Sequence, residues 1–234
     1  MTGRLNSFLS MSALDGDGVR CVAFLQGCPL RCAYCHNPEA WDFGKGTEIT
    51  PAELLERVVR YKNYFGDKGG VTLSGGEALA QAEFAAEFFR LCHQKGINTA
   101  VETSGCIINQ AVEKLLEETD CVLLDIKFTD EGSYRMNTGG SLEQTLRFLN
   151  LLHKAGIRTV VRQVIVPGLN DSAEQVQRLK DLCTPYSCVE KIQLLPFRKL
   201  CGSKYDELGL RFPLADTPEA SPELIYQLQK ILDK

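Results

Sequence analysis

The sequence predicts an α/β fold, a partial (β/α)6 TIM-like barrel with a parallel sheet inside and helices outside. Three observations carry that expectation. Short apolar runs alternate with longer helix-like stretches. Several of those runs are continuously apolar, as strands covered on both faces are. Helix start and stop signals fall where the alternation needs them. Repeated βα units imply a parallel sheet with right-handed crossovers. A barrel of eight units takes about 250 residues, so six units and a long loop at 27–50 suit 234 residues better. An open doubly wound sheet is the alternative arrangement.

The strand-like runs lie at 19–25, 70–73, 98–102, 121–126, 159–166 and 191–195. Between them come helix-like stretches at 51–64, 80–95, 109–118, 141–155 and 171–183, with a last amphipathic stretch at 221–233. Thr50-Pro51 opens the first helix with proline at its first position, and Glu53 completes a capping box with Thr50. Gly96 and Gly156 stand where a helix should stop before the next strand. No low-complexity segment or linker interrupts the pattern, so 1–234 reads as a single domain.

Composition narrows the class. The chain is 44% hydrophobic and 24% charged, with net charge −4. A chain of this length buries roughly 70–75% of its unfolded surface, so it needs no disulfide staples. Its 10 cysteines in 234 residues fall well below the ~8–10% of a disulfide scaffold. No apolar run approaches the ~18 residues of a membrane-spanning helix. Positions 1–20 lack the apolar core and small-residue cleavage site of a signal peptide. A cytoplasmic, reducing location is therefore expected, where cysteines serve metals or catalysis more often than disulfides. Mild acidity without a basic stripe argues against a nucleic-acid partner, and no membrane partner is expected.

The most informative segment is Gly27-Cys28-Pro29-Leu30-Arg31-Cys32-Ala33-Tyr34-Cys35-His36-Asn37, a C-x3-C-x2-C loop directly after the first strand-like run. Loops at the C-terminal ends of strands are where α/β folds place their chemistry. An iron–sulfur cubane takes one thiolate per iron, so three cysteines would leave one iron open for an outside ligand. Structural zinc would want four closed ligands, and the other seven cysteines are scattered. Cys32-Ala33-Tyr34-Cys35-His36 also fits a haem-attachment pattern, which would require export. A C-x-x-C redox pair leaves the third cysteine unused. Cys92, Cys121 and Cys183 fall in helix-like or strand-like runs and read as core residues.

Polar groups recur at the ends of the later strand-like runs. Ser74-Gly75-Gly76-Glu77 follows the second, and its glycines would let a ligand approach the backbone. Glu102-Thr103-Ser104-Gly105 follows the third, Asp125-Ile126-Lys127 the fourth and Leu195-Pro196-Phe197-Arg198 the sixth; Arg162 lies within the fifth. Each has a plain structural reading: a turn, a cap, a solvated Asp125–Lys127 pair, a rim ion pair for Arg162. Their recurrence at one end points instead to one functional face.

The sequence resembles the radical S-adenosylmethionine (SAM) superfamily, whose signature is this cysteine loop, and within it the activating enzymes of glycyl radical enzymes. The resemblance runs through Asp15-Gly16-Asp17-Gly18-Val19-Arg20, 27–37, Trp41-Asp42, 71–77, 102–105, 124–127, Val166-Pro167-Gly168 and Leu194-Leu195-Pro196-Phe197. Several relatives carry a ferredoxin-like insert with extra cysteines after the loop. Here 38 residues without a cysteine separate Cys35 from Ser74, so the insert is absent, which favours pyruvate formate-lyase as the partner.

The resemblance implies that Cys28, Cys32 and Cys35 hold a [4Fe–4S] cluster whose open iron takes the amino and carboxylate groups of SAM. It places Gly75, Gly76 and Glu77 along the methionine part, Glu102 and Lys127 at its charged ends, and Asp125 near the ribose. Tyr34, Val164 and Leu195 match adenine-pocket positions, and Asn37 and Arg198 join the cofactor-binding set. Asp15 and Arg162 would face the partner's glycine loop and count as catalytic with the three cysteines. Glu102, Thr103, Leu123 and Asp125 match a monovalent-cation site. A flavodoxin or ferredoxin-type reductant and a monomeric enzyme are expected. The chain departs from the family pattern at Asp17 (often proline), Glu102 (often aspartate) and Arg198 (commonly histidine). Two other classes compete: a radical SAM enzyme acting on a small molecule, such as a deazapurine-forming one, and a non-catalytic metal or electron-transfer module.

Overall fold

The computed structural model describes residues 1–233. Its first half runs β1 (Gly3–Ser12), β2 (Arg20–Leu25), β3 (Thr47–Ile49), α1 (Pro51–Val59), β4 (Gly70–Gly75), α2 (Ala82–Gln94), β5 (Asn98–Thr103) and α3 (Gln110–Glu117). The second half runs β6 (Cys121–Asp125), α4 (Glu131–Thr138), α5 (Leu142–Ala155), β7 (Thr159–Ile165), α6 (Ala173–Cys183), β8 (Val189–Pro196), α7 (Gly202–Glu207) and α8 (Pro222–Leu232).

One eight-stranded sheet has the order β3-β1-β2-β4-β5-β6-β7-β8. The six strands from β2 and β4 to β8 pair in parallel, as the alternation predicts. The sheet does not close, and β3 and β8 are its edges. Two side-chain bonds from Gln229 of α8 cover part of the β8 edge: its Oε1 accepts from the Leu194 amide (3.4 Å), and its Nε2 donates to the Ile192 carbonyl (3.3 Å). Such cover blunts an otherwise open strand edge.

Two segments correct the sequence reading. The polar stretch at 1–20 contains β1, which pairs antiparallel with β2 and β3. Its pairing with β2 breaks register between Leu5 and Ser7 and between Leu9 and Ser12, which scrambles the period-two pattern that would reveal it. The loop at 27–50 contains the three-residue β3. Two short helices, α4 and α7, were not expected either. The helix signals hold: Thr50 and Glu53 form the capping box, and Gly96 and Gly156 adopt positive φ at the helix ends.

Side chains alternate across each strand. The outward face packs against the helices in one large core, with Leu54, Phe88, Leu115, Phe148 and Leu179 meeting Leu73, Val101, Leu124 and Val161. The inward face carries a separate small apolar layer of Ala100, Cys121, Leu123 and Val160. Two residues further along three of those strands, the same face presents Glu102, Asp125 and Arg162. At the opposite end, the guanidinium of buried Arg20 donates to Thr72 Oγ1 (2.8 Å), the Val71 carbonyl (2.7 Å) and Asn98 Oδ1 (2.9 Å). Among the described residues no helix is long and apolar enough to cross a membrane.

Candidate active site

The cysteine loop leaves the C-terminal end of β2 and is held from several sides. Gly27 N donates to Ala40 O (2.8 Å) and Cys28 N to Trp41 O (3.2 Å). Gln26 Nε2 donates to the carbonyls of Glu39 (2.9 Å) and Asp42 (2.7 Å). Arg31 N and Ala33 N donate to Thr138 O (2.9 Å) and Asn137 O (2.8 Å), so the loop lies across the end of α4. From the other side, Lys204 of α7 donates to Asn37 Oδ1 (2.8 Å) and pairs with Glu39, and His36 Nε2 lies 2.7 Å from Arg198 O.

Cys28, Cys32 and Cys35 are half-buried and free. Burial pushes the Cys28 thiol up to about 11 and the Cys32 thiol up to about 12, and it raises Cys35 too. Each feels another thiol of the trio or the Lys127 ammonium, so the loop gathers them around one space. Binding a metal group there must expel their protons. The donor set fits a cubane. Three free thiols on one short loop suit a [4Fe–4S] cluster, which draws one thiolate to each of several irons. The buried hydroxyls of Tyr34 and Tyr205 have no hydrogen-bond partner, and both feel the Cys32 thiol.

Behind the loop lies an interior polar network. Arg162 Nη2 pairs with Glu102 Oε1 (3.0 Å), and Ser74 Oγ donates to Glu102 Oε2 (2.7 Å). Lys127 Nζ pairs with Asp125 Oδ2 (2.6 Å). With side-chain exposures of 15% and 16%, this is no solvated pair. Burial raises the Glu102 carboxyl against the pull of Arg162. For Lys127, burial acts downward, but Asp125, Tyr34 and Cys32 outweigh it and hold the ammonium well above its usual range. Arg162 Nε and Nη1 are buried without a hydrogen-bond partner. Asp15 acts on both Arg162 and Glu102, and its backbone carbonyl accepts from Thr72 Oγ1 (2.6 Å). Val164 and Leu195 are half-buried register partners on β7 and β8. Leu123 sits in the apolar layer beneath.

The Ser74–Glu77 turn has a structural duty. A Cβ on Gly75 would come within 2.3 Å of Leu25 N, and one on Gly76 within 2.3 Å of Gly27 O. The glycines thus let this turn press against the start of the cysteine loop, where Glu77 N donates to Gly27 O (2.9 Å). Glu77 is only 2% exposed. Its carboxylate accepts from Thr103 Oγ1 (2.5 Å), Ser104 Oγ (2.5 Å), Ser104 N (3.0 Å) and Leu79 N (3.2 Å). It binds the 102–105 segment to the turn.

Other expected residues are placed as follows. The Arg198 side chain turns to Glu219 (3.1 Å), leaving its carbonyl to meet His36. Asp17 pairs with Arg158 (2.7 Å). Tyr34 is buried, with its ring 6.1 Å from Phe128. Among the cysteines read as bystanders, Cys21, Cys92, Cys121 and Cys183 are buried. Two others stand beside the site: Cys106 Sγ lies 3.7 Å from Glu77 Oε2 and feels Cys28, and Cys201 feels Cys35. The position of Cys106, one residue after the 102–105 motif, was the available signal.

Comparisons with known proteins agree with this geometry. Residues 22–180 match the Radical SAM superfamily. The chain is 42% identical over 231 residues to a pyruvate formate-lyase-activating enzyme of Clostridium pasteurianum, covering 98% of this chain and 97% of that protein. It is 37% identical over 235 residues to the pyruvate formate-lyase 1-activating enzyme of Escherichia coli K12, covering 99% and 96%. Among solved structures, a domain of pyruvate-formate lyase-activating enzyme from Bacteroides vulgatus superposes with TM-score 0.59 at 23% identity, covering 70% of this chain and 93% of that one. A radical SAM methyltransferase from Sphaerobacter thermophilus gives TM-score 0.64 at 17% identity, covering 92% and 63%. These two likenesses bear on the fold.

Proposed function

The chain belongs to the radical SAM superfamily, among the pyruvate formate-lyase-activating enzymes, and from that premise we propose that it installs a glycyl radical in pyruvate formate-lyase. Membership implies a [4Fe–4S] cluster and SAM. When bound, the cluster would supply the electron for reductive cleavage of the S–C5′ bond of SAM, the chemistry that hydrogen-atom abstraction from a backbone glycine of the partner by a 5′-deoxyadenosyl radical requires.

The protein's own part is to bind, orient and exclude water. The observation that carries the reading is the three-thiol loop braced against the Ser74–Glu77 turn at the C-terminal ends of β2 and β4. Cys28, Cys32 and Cys35 would hold the cluster. Backbone groups of Gly75 and Gly76 would meet the methionine end of SAM, with Lys127 and Glu102 at its charged groups and Asp125 at the ribose. Glu77 would act on SAM through the segment it braces. Asn37, Tyr34, Val164, Leu195 and the Arg198 backbone would flank the adenosine side. Arg162 has two buried donors without acceptors, which suits the carbonyls of an incoming peptide loop, with Asp15 beside it. The unclosed sheet between β8 and β3 gives a polypeptide loop a way in, which favours a protein substrate over a small molecule.

A monovalent cation among Glu102, Thr103, Leu123 and Asp125 would share Glu102 with Arg162 and Asp125 with Lys127; a potassium or sodium dependence of SAM binding tests it. A flavodoxin or ferredoxin-type carrier would reduce the cluster, and the enzyme would act as a cytoplasmic monomer. Anaerobic reconstitution should give a reduced-cluster electron paramagnetic resonance (EPR) signal, altered by SAM, and 5′-deoxyadenosine on reduction. Binding of one zinc without iron or sulfide would refute the assignment.

A further inference from the structure

The inner face of the sheet carries apolar side chains in the open at its β1 end. Ser7 and Leu9 are register partners of Phe24 and Val22 on β2, which pair in turn with Ser74 and Thr72 on β4. Register partners share one face of a sheet. Ser74 Oγ donates to Glu102 (2.7 Å), and Thr72 pairs with Ala100 of the inward apolar layer. Leu9 and Phe24 therefore belong to the face that bears the polar network. Leu9 is nevertheless 43% exposed and Phe24 only half-buried. Leu14, in the loop between β1 and β2, is 80% exposed, and Met11 is exposed as well.

The loop that carries Leu14 is pinned to that face. The Leu14 amide donates to Ser12 Oγ (3.2 Å), Ser12 Oγ donates to the Asp15 carboxylate, and Asp15 O accepts from Thr72 Oγ1 (2.6 Å). Single exposed leucines are ordinary. Leu9, Met11 and Leu14 are exposed within one short stretch, next to a polar site, and such apolar surface marks an interaction site. The same face also holds donors that need a ligand. Arg162 is 8% exposed and pairs with Glu102 through Nη2 (3.0 Å), yet its Nε and Nη1 have no partner. Buried donors find acceptors, and the carbonyls of a polypeptide supply them. Apolar surface and unpaired donors on one face together fit a peptide segment.

We propose that Leu9, Leu14 and Phe24 form an apolar wall that receives an apolar side chain flanking the target glycine of the partner polypeptide, while Arg162 holds that segment by its carbonyls. Leu9 and Leu14 are then specificity-determining residues. The inference rests on the reading that the substrate is a glycine-bearing polypeptide. The wall selects by desolvation: an apolar flank gains from burial there, whereas a hydroxyl in its place finds no hydrogen-bond partner among the leucines.

The test crosses enzyme variants with substrate variants. The probes are a synthetic peptide spanning the target glycine of pyruvate formate-lyase and the same peptide with each apolar residue replaced in turn by serine. Glycyl radical formation is followed by EPR with the reconstituted wild-type enzyme and with the double variant Leu9→Ser, Leu14→Ser. With wild type, one serine replacement should raise KM about tenfold, the scale of a lost contact in an apolar pocket, with kcat little changed. The double variant should show a similar rise with the unaltered peptide, and that serine replacement should then add almost nothing. Its iron and sulfide content and its SAM affinity should match wild type. An unchanged KM in the double variant overturns the proposal, as does a serine penalty of equal size in both enzymes. If the double variant loads less cluster, Leu14→Ser alone, which lies outside any strand, is scored in the same way. If the peptide takes no radical, full-length pyruvate formate-lyase with the same replacements serves as the probe. A wild-type enzyme that cleaves SAM but places no radical on peptide or protein would instead refute the polypeptide reading.

Discussion

Glu77 offers a perturbation whose size follows from its contacts. The sequence reading aims its carboxylate at a ligand, whereas in the structure it accepts from two hydroxyls and two amides of the chain, with the Cys106 thiol as a fifth, longer donor at 3.7 Å. In Glu77→Ala the two hydroxyls can turn toward other acceptors, but the amides of Ser104 and Leu79 lose theirs. A stranded buried donor costs about 1–3 kcal/mol, so the pair should cost about 2–6 kcal/mol, partly offset because a buried carboxylate no longer needs solvating. Glu77→Gln keeps one oxygen for the Ser104 amide and should lose only about 1–3 kcal/mol. The assay is urea unfolding of the metal-free, fully reduced proteins under anaerobic conditions, without SAM. The expected order is wild type, then Gln, then Ala. If Glu77→Ala unfolds within about 0.5 kcal/mol of wild type, as an ordinary surface substitution would, and loses only SAM affinity, then Glu77 is a ligand contact and the bracing argument fails.

Three further outcomes follow from the same geometry. Gly76→Ala would drive a methyl group to 2.3 Å from Gly27 O, so overpacking of at least about 1–3 kcal/mol is expected, with less iron and sulfide held after reconstitution. Serine at Cys28, Cys32 or Cys35 should abolish the reconstituted cluster, while Cys106→Ser and Cys201→Ser should keep it by iron and sulfide analysis despite standing beside the site. The Arg158 hydrogen bond, opposed by burial, lowers the Asp17 carboxyl below its usual value. Its stabilisation is therefore fully present above about pH 4, near the unfolded pKa, and is lost as pH falls through the folded value. Both side chains are about a third exposed, so Asp17→Asn should cost under about 1 kcal/mol at pH 7, and the gap from wild type should vanish in acid by urea unfolding.

Much of this architecture is legible in the residues because the forces that write it are periodic. Strands covered on both faces must be apolar throughout, which exposes 121–126 and 159–166, and Thr50 with Glu53 announces α1 directly. The three cysteines are legible because a short loop must carry its ligands at short spacing. β1 is harder to see, because its two register breaks and exposed Leu9 and Met11 blur any alternation. α4 buries only Tyr134 and Thr138, and α7 is six residues long and buries only Tyr205; neither builds an amphipathic stripe. Tyr205, Cys201 and Cys106 reach the site through tertiary packing, which local spacing does not encode. The direction of Glu77 is likewise a property of a turn, where no period says which way a side chain points.

The central claim is that a cluster held by Cys28, Cys32 and Cys35 serves to place a radical on a partner's glycine. The most direct test is EPR of the reconstituted, reduced enzyme incubated anaerobically with SAM and pyruvate formate-lyase. The account predicts an organic radical whose α-proton splitting collapses when the partner's glycine carries deuterium at Cα, with 5′-deoxyadenosine formed alongside. Release of 5′-deoxyadenosine with no glycine-borne radical would contradict it.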